Sequence, residues 1–202
     1  YPVSRGFDKF YGIIWGVADF FDPFSLVEGK EPVKSVPDDY YITDAISDYS
    51  VRYIEEFTSN PEPFFMYVAY TAPHWPLHAL PEDIEKYEDT YQAGWEKIQQ
   101  ARYQRMLDKG LINDSGSYAA TLPDRESTLG EDAISWEENE HKQWDARAMA
   151  VHAAMIDRMD RGIGRILDKL REKGELDNTL ILFLSDNGAS SERPSQYGPG
   201  FD

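Results

Sequence analysis

Residues 179–188 read TLILFLSDNG. Five consecutive apolar side chains, Leu180 to Leu184, run straight into Ser185, Asp186, Asn187 and Gly188. The run holds no charge and is bounded by turn residues, Asp177-Asn178 before it and Asn187-Gly188 after it. That pattern predicts a strand buried on both faces, as in a largely parallel sheet. A second run of the same kind, FFMYVAY at 64–70, leads into Thr71-Ala72-Pro73-His74-Trp75-Pro76. Helical patterning lies between the two runs. The chain therefore reads as an α/β fold whose sheet is covered on both faces.

Working outward, Thr43 to Phe57 is predicted helical. Thr43 would cap it, and Ala45, Ile46, Tyr49, Tyr53 and Phe57 recur at spacings of three and four. Asn60-Pro61-Glu62-Pro63 would stop it. Pro81 to Tyr87 begins a helix, and Trp95 to Leu107 is helical. Lys109 to Gly130 is loop-like, and 131–145 is acidic and holds two tryptophans. Residues 88–145 together read as a helical insertion at the domain edge. A long helix is expected from Gln143 to Lys173, with Met149, Ala153, Ile156, Ile163, Leu167 and Leu170 as its apolar stripe and Gly174 as its stop. Residues 1–40 are rich in Gly, Pro and aromatics, and predict loop with short strands around Tyr11 to Trp15 and near Val33.

The totals exclude several classes of function. There are 37 acidic and 20 basic side chains, a formal charge of -17, so non-specific nucleic-acid binding is not expected. There is no cysteine, hence no disulfide and no thiolate metal site. No apolar run approaches the ~20 residues of a membrane helix, and no transmembrane segment is expected. Tyr1-Pro2-Val3-Ser4-Arg5-Gly6 shows neither an initiator Met nor a signal pattern, so a fragment of a longer chain is expected.

In open α/β sheets, ligands gather at the carboxyl ends of strands, and both apolar runs end in polar groups. Asp186 and Asn187 offer a carboxylate and a carboxamide, hard oxygen donors that suit Ca²⁺ or Mg²⁺. Asp-Asn-Gly is equally a common turn sequence, and on the residues alone the turn is the better default. His74 could donate to an anionic oxygen or act as acid–base, or could simply hold its loop by hydrogen bonds. His78 is a weaker candidate of the same kind. His141 and His152 fall in predicted helix and read as surface or packing residues. Asp160 falls on the predicted apolar stripe, where a carboxylate needs a partner such as Arg161 or Arg165. No GxGxxG, P-loop, GxSxG or HExxH motif is present.

Taken in order, RGFDKFYG (5–12), DPFSL (22–26), DYYITDAISDYSVRYI (39–54), PFFMYVAYTAPHWPLHAL (63–80) and MIDRMDRGIGRILDKLREKGELDNTLILFLSDNGA (155–189) resemble the sulfatase family, specifically bacterial arylsulfatases of the alkaline-phosphatase-like superfamily. The resemblance implies part of an α/β/α sandwich around a mostly parallel mixed sheet, with residues 1–202 a partial catalytic domain. It implies that Asp186 and Asn187 are ligands of a divalent cation, Ca²⁺ ahead of Mg²⁺, and that His74 contacts the sulfate ester near its leaving oxygen. The implied nucleophile is a formylglycine made within a Cys/Ser-x-Pro-x-Arg motif. That motif is absent: Ser35-Val36-Pro37-Asp38-Asp39 comes nearest and lacks the arginine. The implied substrate is a sulfate-ester small molecule or a sulfated glycan, in a periplasmic or secreted parent. The isolated chain is expected to be inactive and to self-associate through exposed strand edges. The alternatives are a phosphodiesterase or phosphonate hydrolase of the same superfamily, or a non-catalytic module that binds a cation or a partner.

Overall fold

The computed structural model describes residues 1–16, 18–113 and 135–188. The chain forms two units, one of residues 1–94 with 141–179 and one of residues 95–140 with 180–202. Three short strands, β1 (Tyr11–Ile13), β2 (Leu26–Glu28) and β3 (Glu31–Pro32), are followed by helices α1 (Ile42–Phe57), α2 (Pro81–Glu85), α3 (Trp95–Asp108) and α4 (Lys142–Glu172). All belong to the first unit except α3.

The strands form an antiparallel sheet in the order β1-β2-β3, with Tyr11 opposite Glu28 and Val27 opposite Pro32. Gly29 turns β2 into β3 at φ +63°, a conformation that costs glycine little. This is the sheet present among the described residues, and it is not the parallel one expected. Residues 64–70 and 179–184 join no strand there, because a strand exists only where a neighbour completes its hydrogen-bond ladder. Burial on both faces is also corrected for 64–70. Phe64, Met66, Val68 and Tyr70 pack toward Ile54, Ile166 and Leu170, whereas Phe65 and Tyr67 are 77% and 72% exposed. That alternation has the period of a strand with one face docked. Leu180 to Leu184 are likewise outward, Leu180 to 85%.

Helix α1 starts one residue before the expected cap. Tyr41 is its N-cap residue, and Thr43 is fully buried inside the first turn. The amide of Ile42 is satisfied from elsewhere, donating to the Phe20 carbonyl at 2.9 Å. Helix α4 runs 31 residues and ends as predicted at Gly174, φ +74°. There Gly174 N–H bonds the Arg171 carbonyl at 3.0 Å and Glu175 N–H bonds that of Leu170 at 2.9 Å, a Schellman closure.

The apolar stripe of α4 is rotated from the expected one. Met149 and Ile156 are exposed, and the buried positions are Ala146, Ala150, Ala153, Ala154, Met155, Gly162, Ile166 and Leu170. Small residues win the contact face because they let α1 and α2 come close, and dispersion rewards proximity. At Gly162 an added Cβ would lie 2.2 Å from Ser47 Oγ of α1.

Asp160 is exposed, so the carboxylate that needs partners is a different one. Asp83 of α2 is buried, with its side chain 2% exposed. It accepts from Lys86 Nζ at 2.8 Å, Arg161 at 2.5 Å and Arg158 at 3.1 Å. Arg158 also bonds Asp44 of α1, and Arg165 pairs with Asp48. Burial pushes the Asp83 carboxyl up. The bonded Lys86 ammonium and the Arg161 and Arg158 guanidiniums outweigh it and leave the group below its ordinary value. Asp83 thus ties α2 to α4, and Arg158 extends the network to Asp44 of α1.

In the second unit, Trp95 and Trp136 meet edge to face at 4.8 Å, and Glu96 accepts from both the Trp95 indole and the Trp136 amide. The loop expected over 109–130 lies outside the described residues beyond Asn113. Among the described residues, no helix is long and apolar enough to cross a membrane.

Candidate functional site

The segment 64–70 delivers His74. Tyr70 ends the segment with its hydroxyl 2.8 Å from Ser47 Oγ, so the loop that follows starts from a fixed point on α1. The His74 amide then donates to the Thr71 carbonyl at 2.9 Å, and the buried Ala72 anchors the turn. The His74 ring is exposed, with Nδ1 2.6 Å from the Trp75 carbonyl oxygen. A carbonyl only accepts, so Nδ1 carries the proton in that bond. Neutral His74 therefore presents Nε2 as an acceptor, and protonated His74 presents it as a donor.

His78, four residues on, has a structural task. Its Nδ1 accepts from the Phe20 amide at 3.4 Å and lies 3.6 Å from Asp19 Oδ2, and its carbonyl accepts from the Tyr41 hydroxyl at 2.8 Å. The Phe20 ring is buried between Tyr41, at 5.9 Å, and His78, at 6.0 Å. Asp19 Oδ1 closes its own turn on the amides of Phe21 and Asp22 at 2.7 and 3.0 Å. The loop ahead of β2 is thereby fastened to the His74–His78 loop. Sequence reading missed Asp19, Phe20 and Tyr41 as positioning residues. The turn-forming order Asp19-Phe20-Phe21-Asp22-Pro23 was the signal available.

His141 is the N-cap residue of α4. His152 lies half-buried within that helix, and burial lowers the pKa of its ring. Both are packing or surface residues, as their helical setting suggested.

Asp186 and Asn187 lie in the second unit, exposed, in a bend closed by Ser185 Oγ donating to the Asn187 carbonyl at 2.6 Å. The bend places carboxylate and carboxamide on consecutive residues facing solvent. No group of three or more His, Cys, Asp or Glu side chains that could hold a metal ion occurs among the described residues. The pair thus offers two hard donors, fewer than the six or more that Ca²⁺ takes.

The chain belongs to the sulfatase family, whose sequence model, described as Sulfatase, matches residues 1–201. It is 34% identical over 210 residues to an uncharacterized sulfatase of Schizosaccharomyces pombe, an alignment covering 94% of this chain and 36% of that protein. It is 31% identical over 206 residues to an arylsulfatase of Klebsiella aerogenes, covering 97% of this chain and 43% of the relative. It is 27% identical over 229 residues to an N-acetylglucosamine-6-O-sulfatase of Bacteroides thetaiotaomicron, covering 91% and 39%. The chain thus spans less than half the length of these curated relatives. Its fold is similar to that of the crystal structure of Ps i-CgsB in complex with k-i-k-neocarrahexaose, with TM-score 0.53 and 23% identity over 88% of this chain and 32% of that one.

Proposed function

We propose that the protein to which these residues belong hydrolyses sulfate esters, with a formylglycine nucleophile contributed from outside the 202 residues and a divalent cation, calcium ahead of magnesium. The observation that carries this reading is the sulfatase match over 1–201, the stretch that holds His74, Asp186 and Asn187. A bound cation would supply Lewis acidity toward the sulfate oxygens. Asp186 and Asn187 fit part of its shell by donor chemistry, with further ligands coming from elsewhere in the protein. His74 acts through Nε2. With Nδ1–H committed to Trp75, Nε2 holds a proton for the leaving ester oxygen and so lowers the charge that oxygen must bear.

A sulfated sugar is the substrate class we favour. The Bacteroides relative is named for N-acetylglucosamine 6-O-sulfate, and a human relative, 28% identical, is an N-sulphoglucosamine sulphohydrolase. The apolar side chains left outward at 65, 67 and 180–184 support self-association of the isolated chain, readable by sedimentation velocity.

The test is sulfate release by the full-length protein from 4-nitrophenyl sulfate and from N-acetylglucosamine 6-sulfate, with bis(4-nitrophenyl) phosphate in parallel. Asp186→Ala, Asn187→Ala and His74→Ala are each expected to lower kcat at least 100-fold, a typical weight for such groups. Wild-type sulfate release by Asp186→Ala, or a preference for the phosphodiester, would sink the reading.

A further inference from the structure

One ring nitrogen faces two partners that it cannot serve at once. His78 Nδ1 lies 3.4 Å from the Phe20 amide nitrogen, which donates to it, and 3.6 Å from Asp19 Oδ2, which as a carboxylate oxygen only accepts. An unprotonated Nδ1 takes the Phe20 N–H and has no proton to give Asp19. A protonated Nδ1 sets an N–H against the Phe20 N–H, loses that bond and gains a charged acceptor in Asp19. Histidine is the side chain whose charge ordinarily changes between pH 5 and 8. The His78 side chain is 31% exposed, so water can deliver and remove the proton.

The surroundings confine that choice to one place. Asp19 Oδ1 is occupied by the Phe21 and Asp22 amides at 2.7 and 3.0 Å, which leaves Oδ2 for the ring. The Phe20 carbonyl accepts from the Ile42 amide at 2.9 Å and the Phe20 ring is buried, so this residue keeps its seat on α1 whatever its own amide does. The His78 carbonyl accepts from the Tyr41 hydroxyl at 2.8 Å, which holds the backbone of the His74–His78 loop. Tyr41 is the titratable group that α1 brings to His78. It bonds the backbone and not the ring, and burial pushes it up to about 12. The Phe20 and Phe21 rings pack on the imidazole at 6.0 and 5.8 Å and carry no charge. Among the described residues, Asp19 is the one carboxylate within ion-pair distance of it.

We propose that His78 is a pH-sensitive latch between the loop ahead of β2 and the His74–His78 loop, its ring holding the Phe20 amide when neutral and the Asp19 carboxylate when protonated. The peptide unit that joins Asp19 to Phe20 is the part released in the exchange. On protonation the Phe20 amide gives up its acceptor and opens to water. Asp19 is then held at both oxygens, by its own turn and by the ring.

The experiment is amide NMR on the full-length protein labelled with 15N-phenylalanine, followed from pH 5 to pH 8, the range in which an imidazole titrates. The Phe20 signal is assigned by its absence in Phe20→Leu, and the His78 Cε1–H signal by its absence in His78→Gln. The Phe20 amide is expected to shift with the same midpoint as the His78 ring. Its protection from hydrogen exchange, corrected for the intrinsic rate, should be about fivefold lower on the acid side, the weight of one ordinary hydrogen bond. His78→Gln keeps an acceptor that takes up no proton, so its Phe20 signal should no longer depend on pH. Asp19→Asn keeps the turn-forming oxygen and removes the charge, so it should lower Tm by more at the acid end of the range than at the alkaline end. A Phe20 amide that stays still in the wild type overturns the latch without recourse to any variant. A Phe20 titration that survives in His78→Gln, or a Tm loss in Asp19→Asn that is equal at both ends, overturns it as well.

Discussion

Replacing Gly162 by alanine tests the packing that positions the His74 loop. The new Cβ would sit 2.2 Å from Ser47 Oγ, 3.0 Å from the Tyr70 hydroxyl and 3.2 Å from Ser47 Cβ. Ser47 cannot simply turn away. It is fully buried, its hydroxyl donates to the Thr43 carbonyl at 2.9 Å, and it meets the Tyr70 hydroxyl at 2.8 Å. Overpacking costs about 1–3 kcal/mol. Parting the two hydroxyls costs about 1 kcal/mol more. Helix propensity returns about 1 kcal/mol, because alanine is the better helix former. The net is a destabilisation of about 2 kcal/mol, or about 4–8 °C in Tm for a chain of this size. Urea denaturation followed by circular dichroism would measure it. A second substitution, Ser47→Gly, should recover part of the loss in the Gly162→Ala background while destabilising the wild type. A stability for Gly162→Ala equal to or above wild type, or strict additivity of the two changes, would refute the close-approach argument.

Asp83→Asn leaves Lys86, Arg158 and Arg161 around a neutral amide. It should cost about 2–4 kcal/mol, the figure for breaking a buried pair discounted for the water that reaches Lys86 and Arg161. Because the Asp83 carboxyl is held below its ordinary value, its contribution is complete above the unfolded carboxylate pKa and fades as pH falls through the folded one. Acid unfolding of the variant should be correspondingly shallower, and an unchanged acid limb would contradict this. Tyr41, by burial, and Tyr49, by burial and its bond to Glu28, are both pushed up to about 12. Their contribution is complete below the ordinary phenol value and lost as pH rises through 12. Absorbance at 295 nm should show part of the 13 tyrosines ionising only with alkaline unfolding, and full titration near pH 10 with an intact fold would count against it. The isolated chain should release no sulfate from 4-nitrophenyl sulfate, and detectable turnover by the pure chain would overturn the proposal that the nucleophile lies outside these residues.

Much of the local structure was legible because it depends on neighbours in sequence. The helical spacing over 43–57, the long helix closed at Gly174 and the short strands near Tyr11 and Val33 all follow from side-chain period and backbone chemistry. So do the polar loop at His74 and the bend at Asp186-Asn187, where apolar runs give way to proline, amide and glycine.

Tertiary contact decided the rest. Hydrophobicity alone put Met149 and Ile156 on the inner face of α4. Helix approach put Ala150, Ala154 and Gly162 there, because contact depends on distance and small residues shorten it. Asp160 looked like the buried acid, yet Asp83 holds that place, since only the fold brings Lys86, Arg158 and Arg161 around one carboxylate. His78 became a fastening through a bond from the Phe20 amide 58 positions away, which no local pattern encodes. An apolar run such as 180–184 states that burial is favourable. Which surface buries it depends on ladder partners distant in the chain, and hydrogen bonding to a neighbouring strand cannot be read from one strand's residues.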